Sequence, residues 1–123
     1  MLRFLDKEAG WERVSTILRD RSAEIALSAV QWGEIAGSIR KKQGVIEQKN
    51  KLEDLLLFQM RIVPATGERA IHAAEIKEDR KLPYADAFAI DLAMDSADHV
   101  LVTADYDFKA VADLARIEFL PLK

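Results

Sequence analysis

Apolar positions recur along the chain in two rhythms, short consecutive runs and longer stretches at helical spacing. From about Asp6 to Asp20, Trp11, Val14, Ile17 and Leu18 fall at i, i+3, i+6 and i+7, the stripe of an amphipathic helix. Glu24-Ile25-Ala26-Leu27 is short and apolar, and Ser28-Ala29-Val30-Gln31 has capping-box spacing, so a strand passes directly into a helix expected to stop at Gly44. Between Val45 and Met60, Ile46, Leu52, Leu55, Leu56 and Gln59 predict a second helix folding back on the first as an αα-hairpin. Arg61-Ile62-Val63-Pro64 reads as a second strand. Thr66 then caps a helix carrying Ala70, Ile71, Ala73, Ala74 and Ile76, ended by the charged run from Lys77 to Lys81. Pro83, with its preset φ, opens a helix whose buried face is Ala85, Phe88, Ala89, Leu92 and Ala93. A third strand over His99–Thr103, a short helix from Lys109 to Ala115 and a last strand over Ile117–Leu120, stopped by Pro121, complete the pattern. Strands alternating with helices predict an α/β fold with a parallel sheet.

At 123 residues the chain has the length of one domain, and we read residues 1–123 as a single unit with no linker, internal repeat or low-complexity segment. Half of it is hydrophobic, enough for a packed core and too much for a disordered tail. The net charge of -3 means that any nucleic-acid contact must come from a local patch rather than the overall balance. The absence of cysteine removes disulfides, thiolate catalysis and cysteine-based zinc sites, and fits a reducing cytoplasm. Charges close behind Met1 argue against a signal peptide, and the apolar runs fall short of a membrane span, so a soluble cytoplasmic protein is expected.

Candidate chemistry centres on Leu101-Val102-Thr103-Ala104-Asp105-Tyr106-Asp107-Phe108, where an apolar strand breaks into two aspartates. In open α/β folds, ligands collect at the carboxyl ends of strands. Two carboxylates about 4 Å apart repel by roughly 4 kcal/mol at an effective dielectric of 20, a penalty that a bound cation removes. The alternative is a solvated turn whose aspartates accept from nearby backbone N–H groups. Asp86, in the first turn of the Pro83 helix, gains from the helix dipole, and Ala89 and Ile90 rather than Lys or Arg stand three and four positions on. Glu34 stands among Val30, Gly37 and Ser38, again without a basic partner, and reads either as a plain surface glutamate or as a ligand with room beside it. All three acidic sites lie just past a strand or near a helix start, which would gather them at one edge of the sheet. Oxygen donors without histidine or cysteine suit a hard cation, Mg²⁺ or Mn²⁺, and such sites hydrolyse phosphodiesters. Arg40, Lys41, Lys42, Lys49 and Lys51 cluster on the hairpin with Glu47 as the only acid among them, and form either an RNA-tracking surface or a solvated outer face. His72 and His99 lie far from metal-motif spacing, glycine-rich phosphate loops are absent, and no serine sits in a nucleophile elbow.

The two stretches Leu82-Pro83-Tyr84-Ala85-Asp86-Ala87-Phe88-Ala89 and Leu101-Val102-Thr103-Ala104-Asp105-Tyr106-Asp107-Phe108 resemble a PIN domain of the VapC toxin type, and Ser28-Ala29-Val30-Gln31-Trp32-Gly33-Glu34 fits the same pattern. The resemblance implies a three-layer α/β/α fold and an RNA-cleaving cluster of acids that binds Mg²⁺ or Mn²⁺. It carries the metal-ligand role onto Glu34, Asp86 and Asp105, and a further acidic role onto Asp107. A cognate antitoxin as partner and a homodimer are implied as well. One part of the family pattern is unmatched: a central first strand ending in an aspartate does not precede Met1-Leu2-Arg3-Phe4, and Asp6 follows a helical run. The resemblance therefore implies a domain lacking its middle strand and first acid, with free strand edges on either side of a slot. Two functions remain open at this point, a metal-dependent endoribonuclease and a catalytically impaired binding module that engages an antitoxin.

Overall fold

The computed structural model describes residues 25–57, 60–103 and 106–119. In order these form β1 (Ile25–Ser28), α1 (Ala29–Leu56), β2 (Met60–Val63), α2 (Gly67–Arg80), α3 (Tyr84–Ala93), β3 (Val100–Thr103), a 3-10 segment (Tyr106–Val111) and β4 (Arg116–Phe119). The helix expected over Asp6 to Asp20, the expected lack of a central first strand, Gln59, Asp105 and the stop at Pro121 all lie outside the described residues.

β1 passes into α1 without a loop because Ser28 stays extended while its Oγ accepts from the Val30 N–H at 3.2 Å, satisfying an orphan donor of the first turn. The helical path breaks at Gly44, whose φ of 89° and ψ of -179° belong to a region open essentially to glycine alone. There the chain reverses. Gln48 Nε2 donates to the Ala36 carbonyl at 2.8 Å, although in a straight helix residues twelve positions apart stand about 18 Å from one another. The expected αα-hairpin is therefore present, with two differences. It ends at Leu56 rather than Met60, because Met60 is drawn into β2 opposite Ile25. Its apolar stripe is also only partly used: Leu55 is fully buried, while Ile46 and Leu56 face solvent.

α2 begins at the expected cap, where Thr66 Oγ1 accepts from the Arg69 N–H at 3.3 Å. It ends inside the charged run. Lys77 and Arg80 form its last turn, where cations complement the carbonyl end of the helix dipole, and Lys81 closes it in the left-handed conformation with φ 58°. Ala73 and Ile76 are buried as the pattern predicts, but Ile71 and Ala74 are exposed. α3 departs further from an amphipathic helix, since every residue from Ala87 to Ala93 is buried, Asp91 included. Its alanines let neighbours approach closely, and it packs against α1, α2, β1 and β3.

β1 and β2 pair in parallel from Ile25 opposite Met60 to Ser28 opposite Val63, and β3 and β4 do so from Val100 opposite Arg116 to Thr103 opposite Phe119. Parallel pairing matches the expected α/β class. Among the described residues, however, the strands form two separate two-stranded sheets rather than one. Two apolar clusters correspond to them. One joins Ala73, Ile76, Phe88, Ile90, Phe108 and Val111; the other joins Leu27, Ile35, Ile39, Leu55 and Met60. Val30 of α1 packs on the first and Val102 of β3 on the second, so each half lends a side chain to the other. Each fully buried side chain of Leu or Phe size contributes about 1.5–3 kcal/mol of burial, and this is what holds α3 in its central place. No helix among the described residues is long and apolar enough to cross a membrane.

Candidate active site

Asp86 is the third residue of α3, half-buried in the first turn, where exposed N–H groups favour a carboxylate. The packed run from Ala87 to Ala93 leaves this helix little freedom, so the Asp86 backbone stands on one of the most constrained elements of the molecule. Glu34 sits in the second turn of α1 on its exposed side, while Ile35 and Ile39 bury the other. Asp107 is the second residue of the 3-10 segment and exposed, next to Phe108, which anchors that segment in the core. Asp105 lies outside the described residues, two positions beyond Thr103.

The described acids are of the right chemistry for a hard divalent cation, but they do not complete a ligand set by themselves. Among the described residues no three acidic or histidine side chains gather closely enough to hold a metal ion. On the hairpin, Arg40, Lys41, Lys42 and Lys49 are exposed and Lys51 is half-buried, and Arg40 Nη1 lies 3.4 Å from Gln48 Oε1.

Two ion-pair groups brace the elements that carry these acids. Arg80, near the end of α2, holds the segment after β3 by donating to both Asp113 carboxylate oxygens at 2.7 and 2.9 Å and to the Ala110 carbonyl at 3.1 Å. The guanidinium keeps the Asp113 carboxyl below its ordinary range. The second group was not anticipated from the sequence. Arg69 Nη1 donates to Asp91 Oδ2 at 2.8 Å, and Arg69 Nη2 to Asp95 Oδ2 at 2.6 Å. His72 Nδ1 lies 2.7 Å from the other oxygen of Asp91. Hydrogen bonding from Arg69 holds the Asp95 carboxyl below its ordinary range, and the two carboxylates raise the Arg69 guanidinium. The readable signal was Asp91 itself, an acid inside the apolar run Ala87-Phe88-Ala89-Ile90-Asp91-Leu92-Ala93, which demands a partner if the helix is buried all round. His72, which lies far from metal-motif spacing in the sequence, is that partner together with Arg69.

At the far end of β4, the rings of Tyr106 and Phe119 stack with centroids 5.2 Å apart at 20°, and Lys109 Nζ lies 5.2 Å from the centre of the Tyr106 ring.

A comparison with protein-family profiles matches residues 1–114 to the PIN domain. The chain belongs to the PIN-domain family. It matches no curated protein and no solved structure at a significant level. PIN domains are in general metal-dependent nucleases, and the short parallel strands and interleaved helices agree with a PIN-like α/β fold.

Proposed function

We propose that this PIN domain is an endoribonuclease of the VapC toxin type, which hydrolyses RNA phosphodiester bonds with Mg²⁺ or Mn²⁺. The observation that carries this reading is the family match over residues 1–114, within which Glu34, Asp86, Asp105 and Asp107 all fall. Asp86, Asp105 and Glu34 are assigned as the metal-holding acids. When bound, the ion supplies an activated water and charge neutralisation at the leaving oxygen. The chain's own residues provide the frame. Asp86 presents a carboxylate from a helix that has no room to shift, and Asp107 is assigned to orient the attacking water, from a segment anchored by Phe108 and Arg80. Arg40, Lys41, Lys42, Lys49 and Lys51 are assigned to the RNA backbone, where positive charge at the hairpin offsets the chain's negative balance.

The test is cleavage of single-stranded and structured RNA by the purified protein with Mn²⁺, beside Asp86→Asn and Asp105→Asn. Wild-type protein is expected to cut internally, and each variant to lose about a hundredfold, equivalent to about 2.7 kcal/mol of transition-state stabilisation. A thermal melt should also show the midpoint of the wild type, and not of the variants, rising with Mn²⁺, because a ligand that binds only the native state must raise it. Intact RNA together with an unchanged melt rejects the reading.

A further inference from the structure

Beside the acids, the structure offers a feature that hydrolysis itself does not require. Phe119 is the last residue of β4 and stands in register with Thr103, the last residue of β3, so in this parallel pair both carboxyl ends lie at one edge. Tyr106 follows Asp105 in the chain, and its ring stacks on Phe119 at 5.2 Å and 20°. Both residues are half-buried, so the stack is not sealed inside the core, and Lys109 brings a cation to the Tyr106 ring from an exposed position. An aromatic pair with an exposed cation, flanked in sequence by Asp105 and Asp107, matches the chemistry by which proteins hold unpaired bases: the ring takes the π-face of the base and the cation takes its phosphate.

We propose that Tyr106, backed by Phe119, is a stacking platform for one nucleobase of single-stranded RNA next to the scissile phosphate, with Lys109 moving from the ring to the phosphate when RNA binds. This rests on the endoribonuclease reading and adds how the strand is gripped. The exchange is favourable for Lys109, since a cation over a partly exposed ring is held weakly and charge-assisted bonds to phosphate are among the stronger ones. Stacking accepts any base, so the platform selects for unpaired RNA rather than for a particular letter.

The test separates binding from cleavage. Affinity for a short single-stranded RNA is measured by fluorescence anisotropy in EDTA, with oligomers carrying one abasic position moved along the strand. One abasic position is expected to weaken wild-type binding about tenfold, and Tyr106→Leu to weaken binding of the intact oligomer by a similar factor. The two losses should not add, and Tyr106→Phe should restore wild-type affinity. Lys109→Gln should lower the salt dependence of binding without abolishing the abasic effect. If RNA is cut with Mn²⁺ while no abasic position matters and Tyr106→Leu binds normally, the platform is wrong and the nuclease reading stands. If stacking is found without cleavage, the platform stands and the nuclease reading fails. If wild-type protein binds no RNA in EDTA, the platform is rejected. The abasic series needs no substitution in the protein, so a misfolded Tyr106→Leu leaves the test intact.

Discussion

α3 and the α1 hairpin are both helical and both carry residues assigned to function, yet they are built on opposite principles. α3 is ten residues long and buried on every side from Ala87 onward, whereas α1 runs 28 residues and buries only Ile35, Ile39 and Leu55. The short helix is held by its neighbours, and the long one largely by its own hydrogen bonds, a glycine hinge and the Gln48 bond to Ala36. The difference teaches where each kind of chemistry belongs. An acid proposed to hold a metal, such as Asp86, needs an element that cannot shift, while a surface proposed to track a flexible phosphate chain tolerates one that does.

The sharpest way to break this contrast is to truncate a side chain in each. Phe88→Ala is expected to cost about 3–5 kcal/mol in urea unfolding, through lost burial and an unfilled cavity at a fully buried site. Ile46→Ala on the hairpin, at a side chain 75% exposed, should stay within about 0.5 kcal/mol. Equal costs would show that the hairpin is as deeply integrated as α3.

The ion pairs give a second version of the same test. Asp91→Ala removes a buried carboxylate from between Arg69 and His72 and is expected to cost about 3 kcal/mol, the low end for breaking a buried pair because Arg69 keeps Asp95. Asp113→Ala, whose carboxylate is solvent-exposed, should leave the unfolding midpoint nearly unchanged in moderate salt. If the two variants unfold alike, the clamp between α2 and α3 does not stabilise the core.

At the hairpin hinge, Gly44→Ala is expected to destabilise by about 1–3 kcal/mol even though a methyl group there would meet nothing within 4 Å. The cost is backbone strain alone, so Gly44→Asn, whose tolerance of positive φ is confined to the αL region, should cost about as much. A smaller effect is expected from pH. Arg69 depresses the folded-state pKa of Asp95, so this pair stabilises the fold above the ordinary carboxylate range, and the contribution is lost as pH falls through the depressed value. Unfolding midpoints measured downward from pH 5 should therefore drop less steeply for Asp95→Asn than for the wild type. Parallel curves would remove Asp95 from the acid response.

Much of this was legible along the chain. The capped start at Ser28, the cap at Thr66, the hinge at Gly44 and the opening of α3 at Pro83 are local events, set by a few neighbouring residues, and each is found where the pattern predicts it. The short helix predicted from Lys109 to Ala115 is instead a 3-10 segment from Tyr106 to Val111, because burying Phe108 and Val111 together draws the turn forward. The acids Glu34, Asp86, Asp105 and Asp107 were legible as candidates because acids just past strands or at helix starts stand out against apolar neighbours. Asp91 was not recognised, since an acid in an apolar run has meaning only once a second helix brings Arg69 and His72 to it.

The sequence by itself therefore determined the alternation of elements, the places where helices begin and turn, and which residues are chemically suited to hold a cation or a phosphate chain. All of these depend on interactions within a few positions of the residue concerned. Only the tertiary structure decided that α3 is enclosed rather than one-sided, that Arg69 and His72 meet Asp91, and that Tyr106 stacks on Phe119 across the end of β3 and β4. These are contacts between segments far apart in the chain, and their partners are chosen by packing, which no local pattern encodes.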